Sequence, residues 1–311
     1  WNSLVAKDLA TVELRCAAER LLKQLEDLQA DSLLLAAEPS DLQTIRVRSG
    51  AEQLKDLRRP VSEGMLLEKI HGGWLGRAAG CLLGKPVEKI GRTGIRELLA
   101  SNHHWPLSEY FTAVGVSDEL KTKYPWNRHG GPESLKENIT CMPEDDDMNY
   151  PIVNLIVSEK FGPAFGPEDV AEVWLRTLPV MSTYTAERVA YSNSLRSIPI
   201  SECATTGNPY REWIGAQIRA DMWGWVASGN PYLASEYAWR DASLSHTRNG
   251  IYGEMFFAAA IAEAAVSEDI EHVLMSALKV VPEESRFAKA IITAMAIARE
   301  NRDWETIVDR L

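Results

Sequence analysis

The chain has 311 residues, 45% of them hydrophobic and 25% charged, with a formal net charge of −11. That length and composition fit a folded globular protein of one or two domains. The acidic balance excludes the broad basic footprint of a nucleic-acid-binding surface. No apolar run reaches the ~20 residues that span a bilayer. Cys16, Cys81, Cys141 and Cys203 show no Cys-x-x-Cys pairing, which disfavours a zinc knuckle or a disulfide framework. A cytoplasmic protein with free thiols, no membrane and no nucleic-acid partner is expected.

Residues 3–59 are rich in Leu, Glu, Lys, Arg and Ala, with Leu9, Leu14, Ala17, Leu21 and Leu25 at helical spacings. Pro60 and Gly64 mark a break, so residues 1–63 read as an N-terminal helical extension and 64–311 as the main domain. The next segment carries Gly76, Gly80 and Gly84 on one side of a helix, each costing about 1 kcal/mol of propensity relative to Ala. Such a stripe predicts close backbone approach, and the helix would deliver Lys85-Pro86-Val87-Glu88 beside a ligand or a packed neighbour. Residues 101–140 are irregular and rich in Trp, His, Pro and Asn, the composition of a long structured loop region. Helices then follow at about 148–159, 167–177, 186–196, 209–226, 231–242, 250–266, 270–278 and 283–299, with another starting at Asp303. Asn208-Pro209 and Asn230-Pro231 both read as helix starts. On the helix between them, Ile214, Ile218, Met222 and Trp225 would form one apolar stripe, and Arg219 with Asp221 reads as a solvated face more readily than a buried pair. No strongly alternating β pattern competes, and the fold class is all-α.

The chemistry concentrates in Met142-Pro143-Glu144-Asp145-Asp146-Asp147-Met148, four consecutive acids at the start of a helix in which Pro151 fits the first turn. Carboxylates this close repel one another unless they are protonated, solvated or neutralised by a cation. Either an exposed acidic helix start favoured by the macrodipole or a bound hard cation satisfies that requirement.

Three segments, Gly80-Cys81-Leu82-Leu83-Gly84-Lys85-Pro86-Val87-Glu88, Glu144-Asp145-Asp146-Asp147-Met148 and Arg240–Met255 (containing Ser245-His246-Thr247-Arg248-Asn249-Gly250-Ile251-Tyr252), resemble the ADP-ribosylglycohydrolase family in order and spacing. The likeness runs from about Leu67 to the end of the chain. It implies a compact orthogonal bundle of helices carrying two magnesium ions and cleaving a glycosidic bond at ribose C1. It also implies that the run Glu144, Asp145, Asp146 and Asp147 forms the first half of the metal site, with Glu144, Asp145 and Asp146 as ligands, and catalytic roles for Glu88 and Asp146. Contacts to substrate would come from His246, Asn249, Gly250 and Tyr252, and from Asn193 and Ser194 in the segment matching the family's diphosphate loop. Taken alone, Glu88 reads as a surface acid after a helix, and His246 equally as a ligand contact or a satisfied helix-start histidine. Magnesium suits an oxygen shell, and a carboxylate beside an oxocarbenium-like ribose suits the reaction.

The sequence departs from the family pattern in three places. Cys81 stands where the family commonly has Asp, Val189–Leu195 lacks the glycine of the diphosphate loop, and no Asp-x-Asp follows Gly253. These departures widen the expected substrate from an ADP-ribosylated conjugate to a smaller N-riboside, and lead to the expectation of a missing C-terminal segment, or of a homo-oligomer that completes the site. The leading expectation is a magnesium-dependent hydrolase. Its alternatives are a nucleoside- or ADP-ribose-binding pseudoenzyme, and an interaction protein docking through its Leu-rich N-terminus.

Overall fold

The computed structural model describes residues 12–28 and 31–311, so the expectation for Leu9 lies outside the described residues. Within them the protein forms helices α1 (Val12–Glu26), α2 (Ser32–Ala37), α3 (Leu42–Val47), α4 (Glu63–Gly84), α5 (Arg92–Ser101), α6 (Asp118–Lys123), α7 (Asp146–Phe161) and α8 (Pro167–Thr177). These are followed by α9 (Thr185–Leu195), α10 (Ile200–Cys203), α11 (Ala220–Val226), α12 (Pro231–Ala242), α13 (Asn249–Ala264), α14 (Ile270–Leu278), α15 (Arg286–Glu300) and α16 (Trp304–Arg310). Among the described residues there is no strand, which makes the protein all-α, and no helix is long and apolar enough to cross a membrane. By internal contacts the chain divides into two units, Ser62–Ile152 and a second made of residues 1–61 with 153–311.

Within the Ser62–Ile152 unit, α4 starts at Ser62, whose side chain accepts from the Met65 N–H. No residue of α4 is buried, and a Cβ at Gly76, Gly80 or Gly84 would meet no heavy atom within 4 Å among the described residues. The close approach expected at the glycine stripe is therefore not present. What fixes the end of α4 is the apolar cluster of Val87, Leu99, Phe111 and Leu135, with Leu83, Ile90, Trp105 and Trp126 packed against it. Through this cluster the irregular residues 101–140 hold the segment that carries Lys85 and Glu88.

The start of α7 also differs from expectation. It begins at Asp146, two residues before the predicted start, because the Asp145 carboxylate accepts from the Asp147 N–H at 2.9 Å and caps it. Pro151 consequently lies beyond the first turn, where it has no N–H to give the carbonyl of Asp147 four residues back. Arg77 Nε supplies the missing donor to that carbonyl at 2.5 Å.

In the other unit, α13 is buried almost all the way round, from Gly250 to Glu263, as a central helix must be. It packs on α11, α12 and α14. Contact with α11 requires Gly224, where a Cβ would lie 2.6 Å from the Ile261 side chain. Asn230 caps α12 by accepting from the Leu233 N–H. Asn208 caps no helix. Its amide instead donates to the carbonyls of Ala186 and Ser245, and residues 209–213 turn before a short 3₁₀ segment, Ile214–Arg219, leads into α11. The predicted single stripe is broken, with Ile214 exposed while Met222 and Trp225 are buried.

That break carries Arg219 into the core, where the solvated face expected of it is replaced by complete burial. Its Nε donates to Asp241 Oδ2 at 3.2 Å, Nη1 to Glu187 Oε1 at 3.0 Å and Nη2 to Glu254 Oε2 at 3.4 Å. The Asp241 carboxylate also accepts from Trp223 Nε1 and Asn154 Nδ2, each at 3.0 Å. One guanidinium faces three buried acids, so they cannot all be ionised. Burial, with the neighbouring Asp241 charge, pushes Glu254 well above the ordinary carboxylate range, and burial raises Glu187 too.

Removing Arg219 would strand this cluster, and Arg219→Met is predicted to cost about 3–5 kcal/mol in urea denaturation. A loss below about 1 kcal/mol would show that the acids do not depend on it.

Glu254 yields a second prediction with a definite sign. Its folded pKa is raised, so the stability it contributes is complete below the ordinary carboxylate value and is lost as pH climbs through the folded value. Glu254→Gln removes that loss. The stability of the variant relative to the parent should therefore improve as pH rises, whereas parallel curves would contradict a protonated Glu254.

Candidate active site and metal centre

In the Ser62–Ile152 unit, α4 contributes Cys81 and the cap of α7 contributes Asp145 and Asp147. One ligand atom from each of the three lies within 4.8 Å of the others. Lys85, in the 3₁₀ turn that ends α4, forms a close ion pair with Asp145, both side chains being largely buried. Burial would lower the pKa of Lys85, but the hydrogen bond and charge of Asp145 hold it above the ordinary lysine value. The remaining acids are less well compensated. Asp146 is pushed up to about 7 by burial and by the charges of Asp145 and Asp147, and Asp147 is raised by burial and by Asp145. Burial, Asp145 and Asp147 together push the Cys81 thiol up to about 12, so it is protonated.

This donor set fits an oxygen-seeking cation. The carboxylates of Asp145 and Asp147 are the hard ligands magnesium takes, while a protonated thiol adds nothing to such a shell. Glu144 is exposed and accepts from Asn149 Nδ2 at 2.7 Å. Of the predicted metal residues, therefore, the structure brings Asp145 into the group, leaves Glu144 at the surface and sets Asp146 beside it as a half-buried acid. Asp147, expected in the same acidic run, joins Asp145 in the group, and the Gly80–Glu88 segment that was expected to approach a ligand brings Cys81 and Lys85 to it. What sequence reasoning did not foresee is the direct pairing of Lys85 with Asp145, for which the four-residue step from Cys81 to Lys85 on one helix face was the available signal.

Glu88 follows the same turn and is exposed. Its Oε2 accepts from Asn127 Nδ2 at 2.5 Å, and its charge is felt by both Lys85 and Asp147. Asn127 is fixed in turn by donating its N–H to the Pro86 carbonyl at 3.0 Å. Gly131 leaves room for the Asn127 backbone, since a Cβ there would lie 2.2 Å from the Asn127 carbonyl oxygen.

The predicted substrate residues all belong to the other unit, and there each is engaged by the protein itself. His246 is 1% exposed. Its Nδ1 pairs with Ser245 Oγ at 2.8 Å and its Nε2 lies 4.0 Å from Glu187. Burial, reinforced by Arg219, drives its pKa well below the ordinary histidine value, so the ring is neutral. Asn193 is buried and donates to the carbonyls of Cys203 and Thr206, while Ser194 Oγ donates to the Ala190 carbonyl. Gly250 packs so closely that a Cβ would lie 2.7 Å from the Arg211 carbonyl oxygen. Tyr252 donates its hydroxyl to the Pro39 carbonyl, and Asn249 donates to Glu38 and Glu212. A separate concavity in this unit, lined by Ser158, Pro163, Phe165, Trp223 and Tyr237 among others, involves none of these candidates.

An all-helical protein with an acidic, cation-attracting helix start is the class these features define. Residues 62–311 match the family described as ADP-ribosylglycohydrolase, and the chain belongs to that family. No curated protein and no solved structure gives a significant match. The family comprises hydrolases of glycosidic bonds that are in general metal-dependent.

Lys85→Met would remove the cation already present at Asp145. The variant is predicted to bind Mg²⁺ roughly tenfold more tightly than the parent, because a ~1.4 kcal/mol change in repulsion is modest for a charge so near the site. Calorimetric titration measures this directly, and unchanged or weaker affinity would show that Lys85 does not compete with a metal.

Proposed function

We propose that the protein is a magnesium-dependent hydrolase of a glycosidic bond at ribose C1, acting on an ADP-ribose conjugate or a smaller N-riboside. The observation that supports this reading best is the carboxylate pair Asp145 and Asp147 at the start of α7, with Glu88 in the same electrostatic neighbourhood. Asp145 and Asp147, joined by Asp146, would hold the cation. At that position magnesium would supply Lewis-acid chemistry, the means to orient ribose hydroxyls and to lower the pKa of a water.

The chain's own groups do the rest. Glu88 is the accessible carboxylate, oriented by Asn127, and it moves a proton to or from the reacting oxygen. Asp146, pushed up to about 7 by burial and by the charges of Asp145 and Asp147, would give up its proton on binding a cation. Lys85 pairs with Asp145 and holds it in place as the cap of α7. A second reading, a nucleoside-binding protein without hydrolysis, draws support from one observation: the Lys85 ammonium already supplies a positive charge to Asp145 without any metal.

The two readings separate in an assay of N-riboside and ADP-ribosyl substrates with Mg²⁺ and with chelator. The hydrolase reading predicts Mg²⁺-dependent turnover that Glu88→Gln lowers about 10²-fold or more, with helix content unchanged. Nucleoside affinity with no turnover in either condition would favour the binding protein, and full activity of Glu88→Gln would remove Glu88 from the chemistry.

A further inference from the structure

The segment Glu38-Pro39-Ser40 precedes the family-matched residues, yet its side chains and carbonyls are bound by them at every residue. Glu38 is fully buried as a side chain, and its carboxylate accepts five hydrogen bonds. Oε1 takes the Arg286 N–H and Arg286 Nε, both at 2.9 Å. Oε2 takes Arg286 Nη2 at 2.8 Å, Arg248 Nη2 at 2.6 Å and Asn249 Nδ2 at 2.9 Å. Arg286 thus grips both oxygens in the fork geometry that suits planar oxyanions, and its N–H is one of the free donors at the start of α15.

Around this carboxylate the segment is tied by three further bonds. Tyr252 donates to the Pro39 carbonyl, Trp239 Nε1 donates to the Ser40 carbonyl at 2.8 Å, and the Arg248 N–H donates to Ser40 Oγ at 3.1 Å. Arg248 pays for its position with a left-handed backbone, φ +49°, a conformation disfavoured for a long side chain and characteristic of ligand clamps. Among the described residues, Glu212 is the other acid paired with the two arginines, lying 3.2 Å from Arg248 and 2.9 Å from Arg286. Without Glu38 the cradle of Arg248, Arg286 and Glu212 would carry a net positive charge. Access exists, since the Arg286 side chain is 58% exposed.

We propose that Arg248, Asn249 and Arg286 form an oxyanion-binding site, for a carboxylate or phosphate group, that the chain's own Glu38 occupies as a tethered ligand. Ligand-like occupancy explains why one carboxylate collects donors from two separate elements and the first N–H of a helix, while a backbone strap of two residues adds only neutral contacts. The pKa of Glu38 agrees: against the burial that would raise it, hydrogen bonds from Arg286, Asn249 and Arg248 hold it at about 2, so the occupant is an anion throughout the physiological range. The inference does not rest on the carboxylate group at the start of α7, because every residue it uses lies in the unit made of residues 1–61 and 153–311.

The test vacates the site and refills it. Glu38→Ala is titrated with acetate and, separately, with inorganic phosphate at constant ionic strength set with chloride, and thermal unfolding is followed. The expected result is a melting temperature several degrees below the parent, recovered by half or more in a saturable manner by acetate, by phosphate or by both; which of them acts identifies the oxyanion. The double variant Glu38→Ala/Arg286→Ala should show no such recovery. If Glu38→Ala does not fold in chloride, folding restored by either oxyanion supports the site equally. Absence of a saturable response, an equal response in the double variant, or failure to fold in every anion would overturn the proposal and leave Glu38 as a structural ion pair.

Discussion

A carboxylate removed from water must find a counter-charge or a proton, and this constraint shapes both units of the protein. In the core around α13, a single guanidinium, Arg219, is shared among Glu187, Asp241 and Glu254. The shortfall of positive charge is met by protonation, with Glu254 driven far above its ordinary pKa. At the start of α7 the solution is different. Asp145 is neutralised by Lys85 and stabilised by the free N–H groups of the helix it caps, while Asp146 and Asp147 remain raised. Surplus negative charge at a helix start, with oxygen ligands grouped and one ammonium nearby, is an arrangement that could hold a cation.

The core network and the acidic site also differ in what they permit. Arg219 and its partners lie fully buried, so their role is to hold the 3₁₀ segment, α11, α12 and α13 in one arrangement. Glu88 is exposed and positioned by a chain of contacts from the Val87 cluster through Pro86 to Asn127. The proposed chemistry is assigned to the second arrangement because a reacting group must be reachable as well as oriented.

Helices with self-contained signals were legible in the sequence. Pro167–Thr177, Pro231–Ala242 and Ile270–Leu278 have the expected bounds, because proline at the first position or an Asn or Asp cap acts locally. Asn208-Pro209 carries the same local signal and starts no helix, since the Asn208 amide is claimed by carbonyls of Ala186 and Ser245. The offset at Pro151 depends on Arg77, distant in sequence, supplying a donor for the Asp147 carbonyl. The acidic run stood out because four adjacent carboxylates demand an explanation wherever they lie. Its neighbours Cys81 and Lys85 lay in the motif at the end of α4 without their pairing being visible, and the bonds to Glu38 join residues 210 to 248 positions apart, which no local pattern encodes. The family resemblance carried the rest, and the match over residues 62–311 upholds it.

The central claim is that the start of α7 holds a divalent cation on Asp145 and Asp147. Crystals of the protein grown with Mn²⁺ in place of Mg²⁺ allow the ion to be located by its anomalous scattering. The account predicts a peak bounded by the Asp145 and Asp147 carboxylates, with the Lys85 ammonium displaced from Asp145. Absence of a peak there under saturating Mn²⁺, with Lys85 still paired to Asp145, would contradict it.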